Sequence, residues 1–390
     1  MLHVLYLVHD LSDPATSRRV VMLKAGGAAV SLAGFHRDRE PAREVAGERP
    51  IGLGRTHDGR FAQRLAAIAG ANLALGPKFR HVSKPDVIIA RNLEMLVFAR
   101  RLRAQFGGDV PIVYECLDVH RLLLRRDGIG LAMRAAERAL GGNAALLITS
   151  SPAFLREYFA PRGQIGAPVL LLENKVLELG PVTNTAAQNA PVPGAPWRIG
   201  WFGALRCRRS LALLSAFTRR MQGKFEVVLR GRPAYSEFDD FDATVAAEPH
   251  MRFEGAYRNP DDLAAIYGAV HFAWAIDFFE EGLNSKWLLP NRLYEGCRHG
   301  AVPIGMDGTE TGRFLESHGI GALLAEPSAD ALTALLGSID ATSYTDHRAR
   351  VTAKPDNTWI CGPADCRALV GRLEGLTRAR TKDKVLEAAA

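Results

Sequence analysis

Asp86-Val87-Ile88-Ile89-Ala90, then Leu93 to Arg103, then Pro111-Ile112-Val113-Tyr114-Glu115-Cys116: a short apolar run, a helical stretch and a second apolar run. Val87-Ile88-Ile89 does not alternate with polar residues, as expected of a strand covered by helices on both faces. Strand, helix and strand in that order imply a parallel sheet of the doubly wound kind. The same alternation extends outward on both sides. Leu2–Val8 and Ala29–Phe35 read as strands around a helix at Thr16–Ala25, and Phe61–Leu75 reads as helical. Beyond Cys116, a helix at Leu131–Leu140 leads to a strand at Ala144–Thr149.

From Pro181 to Pro196 the chain has four prolines and no apolar period, which marks a linker. The alternation then restarts with strands at Arg198–Phe202, Phe225–Leu229, Met251–Phe253, Val270–Ile276 and Ala301–Gly305. Helices are expected near Ser210–Met221, Pro260–Tyr267 and Asn291–His299. Two Rossmann-like domains of parallel sheet, 1–180 and 197–365, are therefore expected, with a charged helical tail over 366–390.

A chain of 390 residues is long enough for two such cores. No stretch approaches the length of apolar sequence that spans a membrane, and Met1 to Asp10 reads as a buried strand rather than a signal peptide. Five cysteines, an odd number without zinc-site spacing, fit reduced thiols in a cytoplasmic protein. The net charge of +7 is unevenly placed. Residues 1–180 carry 25 Lys+Arg against 17 Asp+Glu, or +8. The remainder carries 49−25 = 24 against 42−17 = 25, or −1. A basic first half points to an anionic partner, such as a phospholipid surface (the inner face of the cytoplasmic membrane), a pyrophosphate-linked acceptor or nucleic acid. A solvated, arginine-rich surface accounts for the same charge.

In open parallel sheets, ligands bind beyond the carboxyl ends of the strands. Four turns after strands in the second half carry suggestive residues. Gly200-Trp201-Phe202-Gly203-Ala204-Leu205-Arg206 joins a close-approach glycine to a guanidinium, and Arg230-Gly231-Arg232 repeats the pattern. Gly255-Ala256-Tyr257 suits a flat base, or simply a packing tyrosine. In the densest segment, Asn284 and Ser285 lie in a loop aimed at the start of a helix bearing Asn291, Arg292 and Glu295, where phosphate is favoured. Glu295 can accept hydrogen bonds from a diol such as ribose; the plain alternative is a surface Arg292–Glu295 pair.

The run Asn284-Ser285-Lys286…Leu289-Pro290-Asn291-Arg292-Leu293-Tyr294-Glu295-Gly296…Gly300-Ala301-Val302-Pro303-Ile304 resembles the donor-site signature of GT-B glycosyltransferases. In that signature a basic residue and then a helical glutamate precede Gly-x-Pro-Val/Ile. The resemblance implies two Rossmann-like domains facing across a cleft and a nucleotide-diphosphate sugar, UDP by default, bound by the second domain. It implies that Glu295 holds the donor ribose, and that Arg206, Arg230 or Arg232, and Arg292 neutralise the pyrophosphate, with no metal or other cofactor. Many retaining members place a second glutamate eight positions earlier, where this chain has Trp287. Inverting transfer is therefore favoured, and the chain resembles transferases that build bacterial surface polysaccharides on glycan or polyprenyl-pyrophosphate-linked acceptors.

The first half should then supply the acceptor site and a base. Asp118 and His120 follow the strand ending at Cys116, within reach of a hydroxyl at that sheet end; Asp118 as a helix cap is the alternative. His9 and Asp10 end the first strand, and Thr16-Ser17-Arg18-Arg19 opens the next helix as a possible anion seat, a second candidate. Arg121, Arg125 and Arg126 suit an anionic lipid surface. Asp240-Phe241-Asp242 reads as solvated surface rather than a metal site, and no P-loop, full dinucleotide fingerprint or nucleic-acid stripe is present. A sugar-nucleotide epimerase of the same architecture and a non-catalytic sugar-nucleotide scaffold remain alternatives.

Overall fold

The computed structural model describes residues 1–37, 43–56, 70–72, 74–181, 190–279 and 281–388. Most of the helix expected over Phe61–Leu75, and positions 182–189 of the expected linker, lie outside these residues. The described chain divides into two compact units, Met1–Leu172 with Cys361–Ala390, and Glu173–Ile360.

The first unit is built on β1 (His3–Val8), β2 (Ala29–His36), β3 (Ile51–Arg55), β4 (Val87–Arg91), β5 (Ile112–Cys116), β6 (Leu146–Thr149) and β7 (Val169–Leu171). These strands form one parallel sheet in the order β3-β2-β1-β4-β5-β6-β7. Every residue of β4 and β5 is buried, Arg91 and Glu115 included, and the apolar runs Val87-Ile88-Ile89-Ala90 and Ile112-Val113 reflect that burial. The edge strand β3 was not expected, because Gly52 and Gly54 remove half of its side-chain signal.

In the second unit a short strand, β8 (Val176–Leu177), precedes β9 (Trp197–Leu205), β10 (Phe225–Pro233), β11 (Met251–Phe253), β12 (Phe272–Trp274), β13 (Val302–Met306) and β14 (Ala322–Leu324). The sheet order is β11-β10-β9-β12-β13-β14, again parallel. Fully buried Trp197, Trp201, Trp274 and Tyr344 contribute to its core.

Each sheet starts in its middle, runs to one edge and then resumes on the other side of its first strand. The order therefore reverses between β1 and β4, and between β9 and β12, and such switch points are where open sheets receive ligands. The last helix, Pro363–Ala388, belongs to the first unit rather than standing apart as a tail. It packs so closely on the end of helix Pro14–Ala25 that a Cβ on Gly26 would fall 2.3 Å from the Cys366 carbonyl oxygen. The division of the chain falls at Leu172, ahead of the proline-rich stretch.

Candidate donor site and acceptor pocket

Strands β9 and β10 continue to Leu205 and Pro233, so Gly203 and Gly231 lie in paired strands and not in the turns expected from the sequence. They face each other in register, at φ of 104° and 134°. A Cβ on Gly231 would fall 1.9 Å from the Gly203 carbonyl oxygen, so no other residue fits there. The Gly231 N–H donates to the Gly255 carbonyl at 2.9 Å, which gathers the ends of β9, β10 and β11. Tyr257 follows directly, and its hydroxyl would lie 3.8 Å from a Cβ on Gly203.

Helix Asn291–Arg298 starts after Pro290, whose extended backbone (φ −73°, ψ 150°) serves as its N-cap. Asn291 is exposed, whereas Arg292 through Arg298 are buried. Glu295 therefore lies inside the unit, with Oε1 accepting from Asn259 Nδ2 at 2.9 Å and Oε2 from Tyr267 Oη at 3.1 Å. A carboxylate offers about four lone-pair sites, so these two bonds do not by themselves fill it. Burial, reinforced by the charge of Glu295, raises the phenols of Tyr257 and Tyr267, and both stay protonated. Burial and Arg298 push His299, stacked on Tyr267, down to about 4, so its ring is neutral near pH 7.

The Arg292 guanidinium is turned toward Ile276 and Asp277. Its Nη2 donates to the Ile276 carbonyl at 3.0 Å and lies 3.4 Å from Asp277 Oδ2. Arg206 approaches the same carboxylate at 3.5 Å and stacks over Phe279 at 4.4 Å. Asp277 thus bridges two guanidinium groups that the sequence reading assigned to the pyrophosphate. It follows β12 at the switch point, and that strand-end position was the signal available for it. The Nε groups of Arg206, Arg230 and Arg292 are buried without a partner, and Arg230 Nη2 reaches the Ala256 carbonyl at 3.4 Å. Such orphaned donors are uncommon in folded proteins and mark a place where acceptors belong. Ser285 and Asp277 line a small cavity of about 20 Å³ with Lys286 and Thr311; Asn284 is buried at the start of the turn Ser285–Trp287. Arg232 is exposed. Asp240 caps helix Phe241–Ala246 by accepting from the Ala243 N–H at 2.9 Å.

The first unit contains a pocket of about 460 Å³ at the carboxyl ends of β1, β4 and β5. Asp118 and His120 both line it, and both are exposed. His120, rather than Asp118, caps the turn Arg121–Leu124, its Nδ1 accepting from the Leu122 N–H at 3.3 Å. Leu117, Leu123, Met133 and Leu140 give the pocket an apolar wall, whereas Arg37 and Arg91 stand at its charged end. Arg91 is buried and pairs with Asp13 at 2.9 Å. Behind it, Glu115 accepts from Tyr6 at 2.5 Å and from Arg19 at 2.6 Å. Burial alone would raise Glu115, but Arg19 and Arg91 hold it below the usual carboxylate range.

Neither Asp10 nor Arg18 is among the described lining residues. Asp10 is held by the N–H and hydroxyl of Ser12, at 2.9 and 2.7 Å, and pairs with Arg37 at 2.9 Å. Arg125 is forked onto Asp127, and Arg121 and Arg126 are exposed. Nearby, Ile129 and Leu131 are 50% and 62% exposed on a helix whose inner face lines the pocket.

No family model matches the chain. It is 61% identical over 380 residues to the succinoglycan biosynthesis protein ExoL of Rhizobium meliloti (strain 1021), covering 97% of this chain and 94% of that one. Among solved structures, sucrose-phosphate synthase from Thermosynechococcus elongatus superposes with a TM-score of 0.66 at 15% identity, each chain fully covered. Anabaena HepE in complex with UDP gives 0.62 at 12% identity, over 99% of this chain and 100% of that one. WaaG, a glycosyltransferase involved in lipopolysaccharide biosynthesis, gives 0.56 at 14% identity, over 96% and 98%. The chain belongs to the family of the succinoglycan biosynthesis protein ExoL, on the fold of the GT-B glycosyltransferases.

Proposed function

We propose that this GT-B glycosyltransferase of a polysaccharide-biosynthesis family moves a sugar from a UDP-sugar to a growing glycan, with inversion. The observation that carries the donor assignment is Glu295, a buried carboxylate held by Asn259 and Tyr267. Glu295, Arg292 and Arg230 all act electrostatically on Tyr257. Glu295 would take the ribose hydroxyls and Tyr257 the base. Gly203, Gly231 and the Asn284–Asn291 segment would admit the diphosphate, with Arg206, Arg230 and Arg292 balancing its charge. UDP is favoured because HepE was solved with it. Bound UDP should slow hydrogen exchange at Gly203–Arg206 and Asn284–Glu295; protection confined to residues 1–172 would sink the assignment.

In the first unit, Asp118 would take the proton of the acceptor hydroxyl. An inverting transfer needs such a base, because the nucleophile attacks as the departing sugar gains oxocarbenium character. The pocket's apolar wall and cationic end suit an acceptor linked through pyrophosphate to a polyprenyl chain. No described helix is long and apolar enough to cross a membrane. Ile129 and Leu131 beside Arg121 and Arg126 would instead rest on an anionic lipid surface. Vesicles rich in phosphatidylglycerol should sediment the protein and release it as salt rises. Replacing Leu131, Arg121 and Arg126 by Ser should reduce that binding without unfolding; equal binding to neutral vesicles would contradict the proposal.

A further inference from the structure

The switch point of the first sheet holds a residue in a backbone conformation that side chains rarely adopt. Asn92, directly after β4, has φ 69° and ψ 166°. That region is essentially reserved for glycine, and other residues persist in it where the surroundings over-determine them, often at functional sites. Here the surroundings do so. The Asn92 N–H donates to the Glu115 carbonyl at 2.8 Å, and its own carbonyl accepts from the Met95 N–H at 3.2 Å.

Asn92 is also the N-cap of helix Leu93–Gln105, a position where asparagine usually turns its side chain onto the first free N–H groups. No such cap bond forms. The side chain reaches His9 instead, with Nδ2 3.1 Å from the ring Nδ1. His9 directly follows β1, so this contact joins the ends of the two strands between which the sheet order reverses. Both residues line the 460 Å³ pocket.

We infer that Asn92 is a positioning residue for glycosyl transfer, acting through His9 on the acceptor. An amide nitrogen only donates, so His9 Nδ1 must accept, and the neutral ring then carries its proton on Nε2. His9 in that tautomer offers the acceptor a hydrogen bond and does not remove its proton, which leaves that task to Asp118. The strained backbone is retained because it aims the amide at His9, whereas glycine would relax the backbone and lose the bond. This inference rests on reading the pocket as the acceptor site.

The test uses the full-length protein and membranes from cells that lack it, which retain unextended acceptor. The donor is whichever UDP-sugar labels those membranes with the wild type. Asn92→Gly should melt no lower than wild type and bind UDP equally well, yet transfer label about tenfold to a hundredfold more slowly, as expected when a reacting group is misplaced. Imidazole ¹⁵N spectra should show the Nε2–H tautomer of His9 in the wild type. Asn92→Asp, whose carboxylate only accepts, should move that proton to Nδ1. Wild-type transfer by Asn92→Gly would overturn the inference, as would an Nδ1–H tautomer in the wild type. A fall in melting temperature that tracks the loss of transfer would make Asn92 merely structural. If Asp118→Asn and His120→Ala both leave transfer intact, the pocket reading fails instead, and the tautomer result stands on its own.

Discussion

Asp118→Asn is expected to lower turnover by a factor of about 10² to 10⁴, the usual worth of a general base, while UDP binds as in wild type. The substitution keeps the shape of the side chain and removes its basicity. Asp118 is exposed, lies beyond the end of β5 and lines the pocket. The neighbouring histidine is less suited to the task, because His120 Nδ1 is engaged in capping the following turn. His120→Ala should therefore slow turnover less, with some loss of the turn it caps. If Asp118→Asn keeps near-full turnover and His120→Ala abolishes it, the two roles must be exchanged. Asp10 is a poor substitute for either, since Arg37 and Ser12 already hold it.

Glu295→Ala should weaken UDP binding by roughly 1.5–3 kcal/mol, the range for hydrogen bonds to a charged group. That is about ten- to 150-fold in affinity at 1.36 kcal/mol per decade. Arg292 is turned toward Asp277 and Ile276, and the described partners of Glu295 are Asn259 and Tyr267. The substitution also strands the Asn259 amide and the Tyr267 hydroxyl, so some stability is lost with affinity. Calorimetry well below the melting transition separates the two. Unchanged UDP affinity would make Glu295 a structural acceptor for Asn259 and Tyr267 alone.

The architecture was legible where burial on both faces leaves unbroken apolar runs, as in Val87-Ile88-Ile89. It was illegible where glycine blanks the pattern, as at Ile51–Arg55, or where a short strand is largely exposed, as at Val169–Leu171. The position of Glu295 could be read from its motif, but its partners could not. Asn259 and Tyr267 lie 36 and 28 residues away in sequence, and helix packing alone brings them to the carboxylate. Asp277 escaped notice because it stands alone after a strand, and its meaning appears only when Arg206 and Arg292 converge on it. Asn92 carried no sequence signal at all. Its backbone conformation and its distance to His9 exist only in the fold.

The central claim is a division of labour: the second unit holds the nucleotide and the first unit activates the acceptor. Measuring UDP affinity and sugar transfer on the same three proteins, wild type, Asp118→Asn and Glu295→Ala, tests it most directly. The account expects Asp118→Asn to bind UDP normally and transfer poorly, and Glu295→Ala to bind UDP weakly and recover much of its transfer at saturating donor. Weakened UDP binding in Asp118→Asn, with normal binding in Glu295→Ala, would contradict it.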